Sequence, residues 1–375
     1  MPRKGVRIIK EQYVCYSCAT TYDVTEKIWK CTCGGLLDLV KDETTFDISR
    51  LQEGPPTMWR YIDALPFKRN STSWQAITLG EGYTPLIKLD HSEPNTFVKV
   101  DYMMPTLSFK DRGAAVLIAK AKEIGVTKVI ADSSGNAGTS IAAYAARAGI
   151  ACDVFLREGT SPKKIAQVKA HGANVRAIKG TREDVARAAQ TAVNEENIFY
   201  ASHVYNPFFY EGTKTYAYEI WEQLKCAPDA LIIPVGNGTL LLGAYYGFME
   251  LLESGLIKKM PKLIAIQAEN CAPLAKGFMS HGPFEPVENK GTIAEGIAIA
   301  APARAVQILE KIRDTDGEII TTTEEEIIQA RITLAGKGFY VEPTTAANYA
   351  GYLKYKHSPS ERIIIPLCGA GIKSN

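Results

Sequence analysis

From about Leu79 onward the chain repeats one phrase: a short apolar run rich in β-branched residues, a glycine-bearing turn, then a longer run with helical periodicity. TFVKV leads into the segment around Lys110, KVIADSS into GTSIAAYAARAG, ACDVFL into SPKKIAQVKAHG, and NVRAIKG into REDVARAAQTAVNE. ALIIPVG leads into TLLLGAYYGFMELLESG, while NIFYAS, KLIAIQAE and RIIIPLCG read as further strands. Strands separated by a helix cannot close a tight hairpin and pair in parallel instead, so the alternation predicts an α/β fold with mostly parallel sheets. No low-complexity segment and no fixed-period repeat of about 20 to 50 residues interrupts it. Before Leu79 the text changes: residues 51–74 are irregular, with Gly54-Pro55-Pro56 as the clearest breaker, and the first 48 residues carry a cysteine cluster.

Ligands in such folds gather at the carboxyl ends of strands, where the next helix begins. Three of these junctions are unusual: ADSSGNAGTS (131–140), PVGNGTLLLG (234–243) and PLCGAG (366–371). A glycine-rich turn entering a helix presents unpaired N–H groups with the helix dipole behind them, which suits an anion. The same residues also make ordinary tight turns, and neither of the first two junctions fits the dinucleotide or the P-loop glycine pattern. A fourth junction, SFKDRGAAVLIAKAKEIG (108–125), sets Lys110 at the start of a helix predicted to be amphipathic, with Val116, Ala119, Ala121 and Ile124 near one face. An ammonium there opposes the helix dipole, which favours the neutral and nucleophilic amine. The plain alternative is a solvated lysine paired with Asp111.

The charges nearly balance, 43 basic against 41 acidic, so electrostatics give no case for nucleic acid or an acidic membrane as partner. No stretch approaches the roughly 18 apolar residues of a membrane span, and MPRKGVRIIKEQ lacks a signal-peptide core, so a cytoplasmic protein is expected. In that setting Cys15, Cys18, Cys31 and Cys33, crowded into the first tenth of the chain, argue for metal before disulfides. Gly34-Gly35 lets the second turn aim its sulfurs inward, although its Cys-x-Cys spacing is one residue short of the usual pair. Four thiolates close a tetrahedral, structural zinc site; the alternatives are reduced thiols or a degenerate ribbon that has lost its metal.

Together the four junctions, with the lead-in EGYTPL and the segments HVYNPFFYEGTKT and VEPTTAANYAGY in order, resemble the fold-type II pyridoxal phosphate enzymes of the tryptophan synthase β-like architecture. SFKDRG is most similar to the threonine synthase family, in which N-terminal cysteine ribbons also occur. The resemblance implies a ribbon over residues 1–48, a large cofactor-binding domain over 49–111 and 205–375, a small mobile domain over 112–204, and a homodimer. It implies that Lys110 holds the cofactor covalently, that Asn136 bonds its phenolic oxygen, and that Gly236, Asn237, Gly238 and Thr239 cradle its phosphate. Cys368 would face the pyridine nitrogen, where a neutral thiol makes a weaker electron sink than a carboxylate and suits elimination and replacement. Ser133, Ser134, Gly135 and Ala137 would hold the carboxylate of a small amino-acid substrate.

Two departures follow. Threonine synthases act on O-phosphohomoserine, and where similar sequences carry a hydroxyl residue after the asparagine and an arginine after the Asn-Pro pair, this chain has Ala137 and Phe208-Phe209. Lys163, Lys164, His203 and Lys214 are the candidate replacements. Three functions are therefore weighed: threonine synthesis from phosphohomoserine and water; β-replacement or β-elimination on a serine-type substrate, of the cysteate synthase or serine/threonine dehydratase kind; and a non-catalytic binding protein, which the intact Lys110 argues against.

Overall fold

The computed structural model describes residues 11–41, 46–280 and 283–374. Residues 1–10 and 42–45 of the expected ribbon segment lie outside the described residues. Three sheets organise the rest. Strands Thr21–Asp23, Gln12–Cys15 and Leu37–Val40, in that order, form a small antiparallel sheet. Four parallel strands, ordered Asn174–Ile178, Ala151–Arg157, Lys128–Ala131 and Phe199–Tyr200, form the second. The third has the order Glu318–Thr322, Lys262–Ala268, Ala230–Pro234, Ile363–Pro366, Thr96–Lys99, Leu86–Lys88, parallel except for its last strand.

The six-stranded sheet explains why its inner strands read as unbroken apolar runs. Leu231, Ile233, Leu263, Ala265 and Ile364 pack on one face with Leu241, Leu242 and Phe248 of the helix Thr239–Glu253. Ile232, Ile264, Ile266, Ile363 and Ile365 pack on the other with Ala346, Tyr349 and Ala350 of the helix Pro343–Lys354. Side chains alternate between faces along a strand, so a strand covered on both faces needs apolar residues throughout.

The helix Lys110–Glu123 departs from expectation. Every residue from Asp111 to Ala121 is buried, so it is enclosed rather than amphipathic. The helices Pro207–Thr213, Asn136–Ala148 and Thr72–Ile77 surround it. The closest crossing depends on glycine: a Cβ at Gly113 would lie 2.4 Å from the Phe209 ring, and one at Gly212 would lie 2.0 Å from the Arg112 carbonyl oxygen. The expected domain boundary at 111/112 falls inside this helix.

The small antiparallel sheet is docked on both larger sheets' surroundings. Trp29 packs edge-on against Tyr200 and Tyr205, at 5.6 and 5.0 Å between ring centroids, and its indole donates to Asn194 at 3.0 Å. On the other side, buried Arg304 donates to Asp38 and to the Leu37 carbonyl, both at 2.7 Å, and Tyr16 donates to Glu310 at 2.6 Å.

Candidate active site

The carboxyl ends of the two parallel sheets face a cavity of about 890 Å³. Ser133, Ser134, Gly135 and Asn136 enter it after the strand Lys128–Ala131, Arg182 after Asn174–Ile178, His203 after Phe199–Tyr200, and Asn237 after Ala230–Pro234. Lys110 and Glu342 complete its centre. This is the placement a parallel α/β architecture gives its ligand crevice.

Three consecutive residues of SFKDRG point three ways. Lys110, the first residue of its helix, sends Nζ into the cavity, where it donates to Thr239 Oγ1 at 2.6 Å. Asp111 turns inward and accepts from the Thr106 N–H at 2.7 Å, the Thr106 hydroxyl at 2.5 Å and the Ser140 hydroxyl at 2.6 Å. Arg112 reaches the opposite interior, bonding Asp101 at 2.8 and 2.9 Å and Glu219 at 2.5 and 2.8 Å. Lys110 is thus not paired with its neighbouring acid. Desolvation brings its amine down to about 7; the nearby Arg182 charge adds to the shift, while Cys368 and Glu342 oppose it. Burial pushes the Cys368 thiol well above its ordinary range, so the sulfur is neutral at physiological pH.

The Thr239 helix begins in a tight glycine turn. Gly238 takes φ +73°, and a Cβ on it would meet Ile308 at 2.5 Å, while one on Gly236 would meet Ile299 at 2.8 Å. The first bond of this helix runs from the Leu242 N–H to the Gly238 carbonyl, leaving earlier N–H groups open towards the cavity side where Asn237 and Lys110 sit. Such a cradle, closed to side chains and beside a neutral amine, fits a phosphate-bearing aldehyde cofactor. Across the cavity, Asn136 Nδ2 donates to Glu342 Oε2 at 3.0 Å. Burial raises the Glu342 carboxyl, against the Asn136 amide and the Lys373 and Lys110 charges. Ala137, the next residue of the helix Asn136–Ala148, is buried and outside the cavity lining.

The candidate replacement cations fare differently. His203 lines the cavity, with Lys164 at its rim in an ion pair with Glu295. Lys163 is exposed and outside the lining. Lys214 is corrected outright: it is buried between Glu211 and Glu250, at 2.7 Å from each, and their charges hold it protonated away from the cavity. Glu211, three residues before it on the same helical stretch, was the local sign. Arg182, Glu342 and Lys373 line the cavity without having been singled out from sequence. Glu342, immediately before the helix-starting Pro343, lies inside VEPTTAANYAGY, and Arg182 opens the run REDVARAAQTAVNE, but neither segment marks them as facing a cavity.

The four ribbon thiols also converge. Their sulfurs all lie within 4.8 Å of one another, with Cys15 to Cys33 at 3.6 Å and Cys18 to Cys31 at 3.5 Å. These separations are too long for disulfides and close to the roughly 3.8 Å that a tetrahedron of about 2.3 Å zinc–sulfur bonds requires. Gly34 takes φ +86°, and a Cβ on Gly35 would sit 2.7 Å from Cys15 Sγ, so both glycines shape this turn.

The model of the pyridoxal-phosphate dependent enzyme family matches residues 77–369, and the chain belongs to that family. Within it, the chain is 37% identical to threonine synthase of Methanocaldococcus jannaschii, over 96% of this chain and 92% of the relative. It is also 37% identical to threonine synthase of Methanosarcina acetivorans, over 91% and 85%. Solved structures share the fold: threonine deaminase isoform 2 from Solanum lycopersicum, in its processed form, at TM-score 0.67 and 22% identity, covering 90% of this chain and 93% of that one, and maize serine racemase at 0.67 and 20%, covering 77% and 88%.

Proposed function

We propose that this chain is a threonine synthase, converting O-phosphohomoserine and water to threonine and phosphate with pyridoxal 5'-phosphate carried on Lys110. The observation that supports it most is the Lys110 amine, brought near neutrality and held 2.6 Å from the hydroxyl of Thr239 at a helix start. It occurs in a chain 37% identical to a threonine synthase over nearly its whole length. When bound, the cofactor supplies an electron sink that acidifies the carbons next to the substrate amine. The protein's own residues do the rest. An amine with a pKa of about 7 accepts and returns protons with little bias at neutral pH, so Lys110 would serve as base and acid towards the substrate carbons. Gly236, Asn237, Gly238 and Thr239 would hold the cofactor phosphate through open N–H groups and the dipole of the Thr239–Glu253 helix. The Asn136 amide, now on Glu342, would turn to the phenolic oxygen, and the neutral Cys368 would leave the ring nitrogen without a full counter-charge. Ser133, Ser134, Gly135 and Ala137, at the start of the helix Asn136–Ala148, would hold the substrate carboxylate.

Structural zinc on Cys15, Cys18, Cys31 and Cys33 belongs to the same proposal, supported by their separations. So do the division into ribbon, large and small domains, supported by the sheet order, a homodimer, and a cytoplasmic setting. No described helix is long and apolar enough to cross a membrane. The deciding experiment offers phosphohomoserine, phosphoserine, serine and threonine side by side to the holoenzyme. Phosphate and threonine should appear in equal amounts from phosphohomoserine. Oxoacid from serine or threonine, with no phosphate from phosphohomoserine, would instead establish the β-elimination alternative.

A further inference from the structure

The cavity walls carry more positive charge than chemistry at Lys110 requires, and most of it is already spoken for. Lys164 is paired with Glu295, Lys373 donates to the Thr106 carbonyl at 2.5 Å, and Arg331 donates to the Val341 carbonyl at 3.1 Å and to the Tyr340 hydroxyl at 3.3 Å. Two groups remain. Arg182 and His203 both line the cavity, and neither makes a side-chain hydrogen bond or ion pair among the described residues. They approach the cavity from the two edges of the four-stranded sheet, and their surroundings are coupled through it: the Lys110 and Arg182 charges both bear on His203, and the Arg182 charge bears on Lys110. The Phe209 ring neighbours both the reacting amine and the imidazole, 5.6 Å from Lys110 Nζ and 6.0 Å from the His203 ring centre.

We infer that Arg182 and His203 form the subsite for the distal anion of the substrate, a phosphate ester in the threonine synthase reading on which this inference rests. The layout fixes the order along the ligand. A carboxylate at the Ser133–Asn136 turn and reacting carbons at Lys110 leave the far end of an amino acid at the wall carrying Arg182 and His203. A third group shares that wall. Asp132 lines it with Oδ1 buried and without a hydrogen-bond partner, and burial raises its carboxyl against the pull of the Tyr200 hydroxyl and the Arg182 charge. A phosphate dianion pushes that carboxyl in the same direction, towards its protonated, donating form and away from a repelling charge. The His203 ring, kept uncharged by burial, donates through a ring N–H, and Arg182 supplies the fixed charge and the planar donor fork suited to phosphate. The positive charge missing after Asn206-Pro207, where Phe208 and Phe209 stand, thus comes from the helix Arg182–Glu196.

The test uses holoenzyme of the wild type, Arg182→Ala, Arg182→Gln and His203→Gln, with circular dichroism to verify folding. KM for phosphohomoserine should rise about ten- to hundred-fold in the Arg182 variants. Competitive inhibition by inorganic phosphate should weaken by a similar factor, and any effect on serine, which has no distal anion, should be at least about ten-fold smaller. Wild-type turnover of phosphohomoserine with unchanged KM and phosphate inhibition in all three variants overturns the subsite. If the wild type releases no phosphate, the threonine synthase reading falls. Titration of inorganic phosphate into the resting holoenzyme then decides the subsite alone: weaker binding in the Arg182 variants upholds it, equal binding overturns it.

Discussion

Two groups of ionisable side chains, which come within two residues of each other at Lys110 and Arg112, behave oppositely. Arg112, Asp101, Glu219 and Lys99 are fully buried, and every charge meets another: Lys99 donates to Glu219 at 2.7 Å, and Arg112 to both acids. Across the Lys110 helix, Lys110, Arg182 and His203 face a cavity with few partners. Burial alone therefore does not mark function. A saturated network holds a fold together and is costly to break, whereas charge left unsaturated at a cavity wall is available for a ligand. The opposed shifts carry the same lesson: Glu219 is drawn down to about 2, burial being outweighed by Arg112 and Lys99, while Lys110 loses to desolvation.

The contrast is most sharply tested by removing one arginine from each group. Arg112→Ala leaves Glu219 and Asp101 buried without their main partner and should cost about 3 to 5 kcal/mol. Exposed Arg182→Ala should stay within about 0.5 kcal/mol of wild type in denaturant unfolding. Comparable losses in the two variants would erase the distinction.

Next in size is the acid limb of stability. Glu219 has its folded pKa depressed, so its contribution is complete above the ordinary carboxylate range and is lost progressively as pH falls through that range towards about 2. Urea midpoints should drop over this window in the wild type and drop less steeply in Glu219→Gln, which starts from a lower value. Parallel slopes would contradict the assignment.

Lys110 supplies the corresponding test at the cavity. Its amine is neutral above about 7 and protonated below it, so uptake of pyridoxal phosphate by the apoprotein should slow as pH falls through neutrality. Borohydride reduction should fix the pyridoxyl group to Lys110, and Lys110→Ala should show no visible band. Uptake that ignores pH across neutrality, or a label on another lysine, would count against the role. The smallest effect is expected from the ribbon: chelation should remove one zinc per chain and alter the fluorescence of Trp29 while leaving the Lys110 band nearly unchanged.

The sequence revealed those features that are written locally. Alternating strands and helices were legible because strands such as Ala230–Pro234 are covered on both faces and must be apolar throughout. The edge strand Glu318–Thr322, half-buried and partly polar, does not announce itself. The helical face assigned to Val116, Ala119, Ala121 and Ile124 misled, because three helices close around that segment and the period carries no information when every side is packed. Lys110 and the glycine turns could be picked out by junction and motif. The partners of Arg112 could not, since Asp101 and Glu219 arrive from distant segments. Arg182 and Glu342 were missed for the same reason: each looks like an ordinary helix-start residue until the topology turns it toward Lys110.

The order of strands in the large sheet has a consequence for how the chain is made. The strand Ile363–Pro366 lies between Ala230–Pro234 and Thr96–Lys99, so the two flanking parts of that sheet cannot join until it has been synthesised. The four-stranded sheet, by contrast, uses only residues 128 to 200 and is complete in a nascent chain little more than half its final length. A ribosome-bound intermediate would therefore carry a formed small sheet beside two open sheet edges, which makes the interval before residue 363 the stretch of synthesis most exposed to strand-edge aggregation.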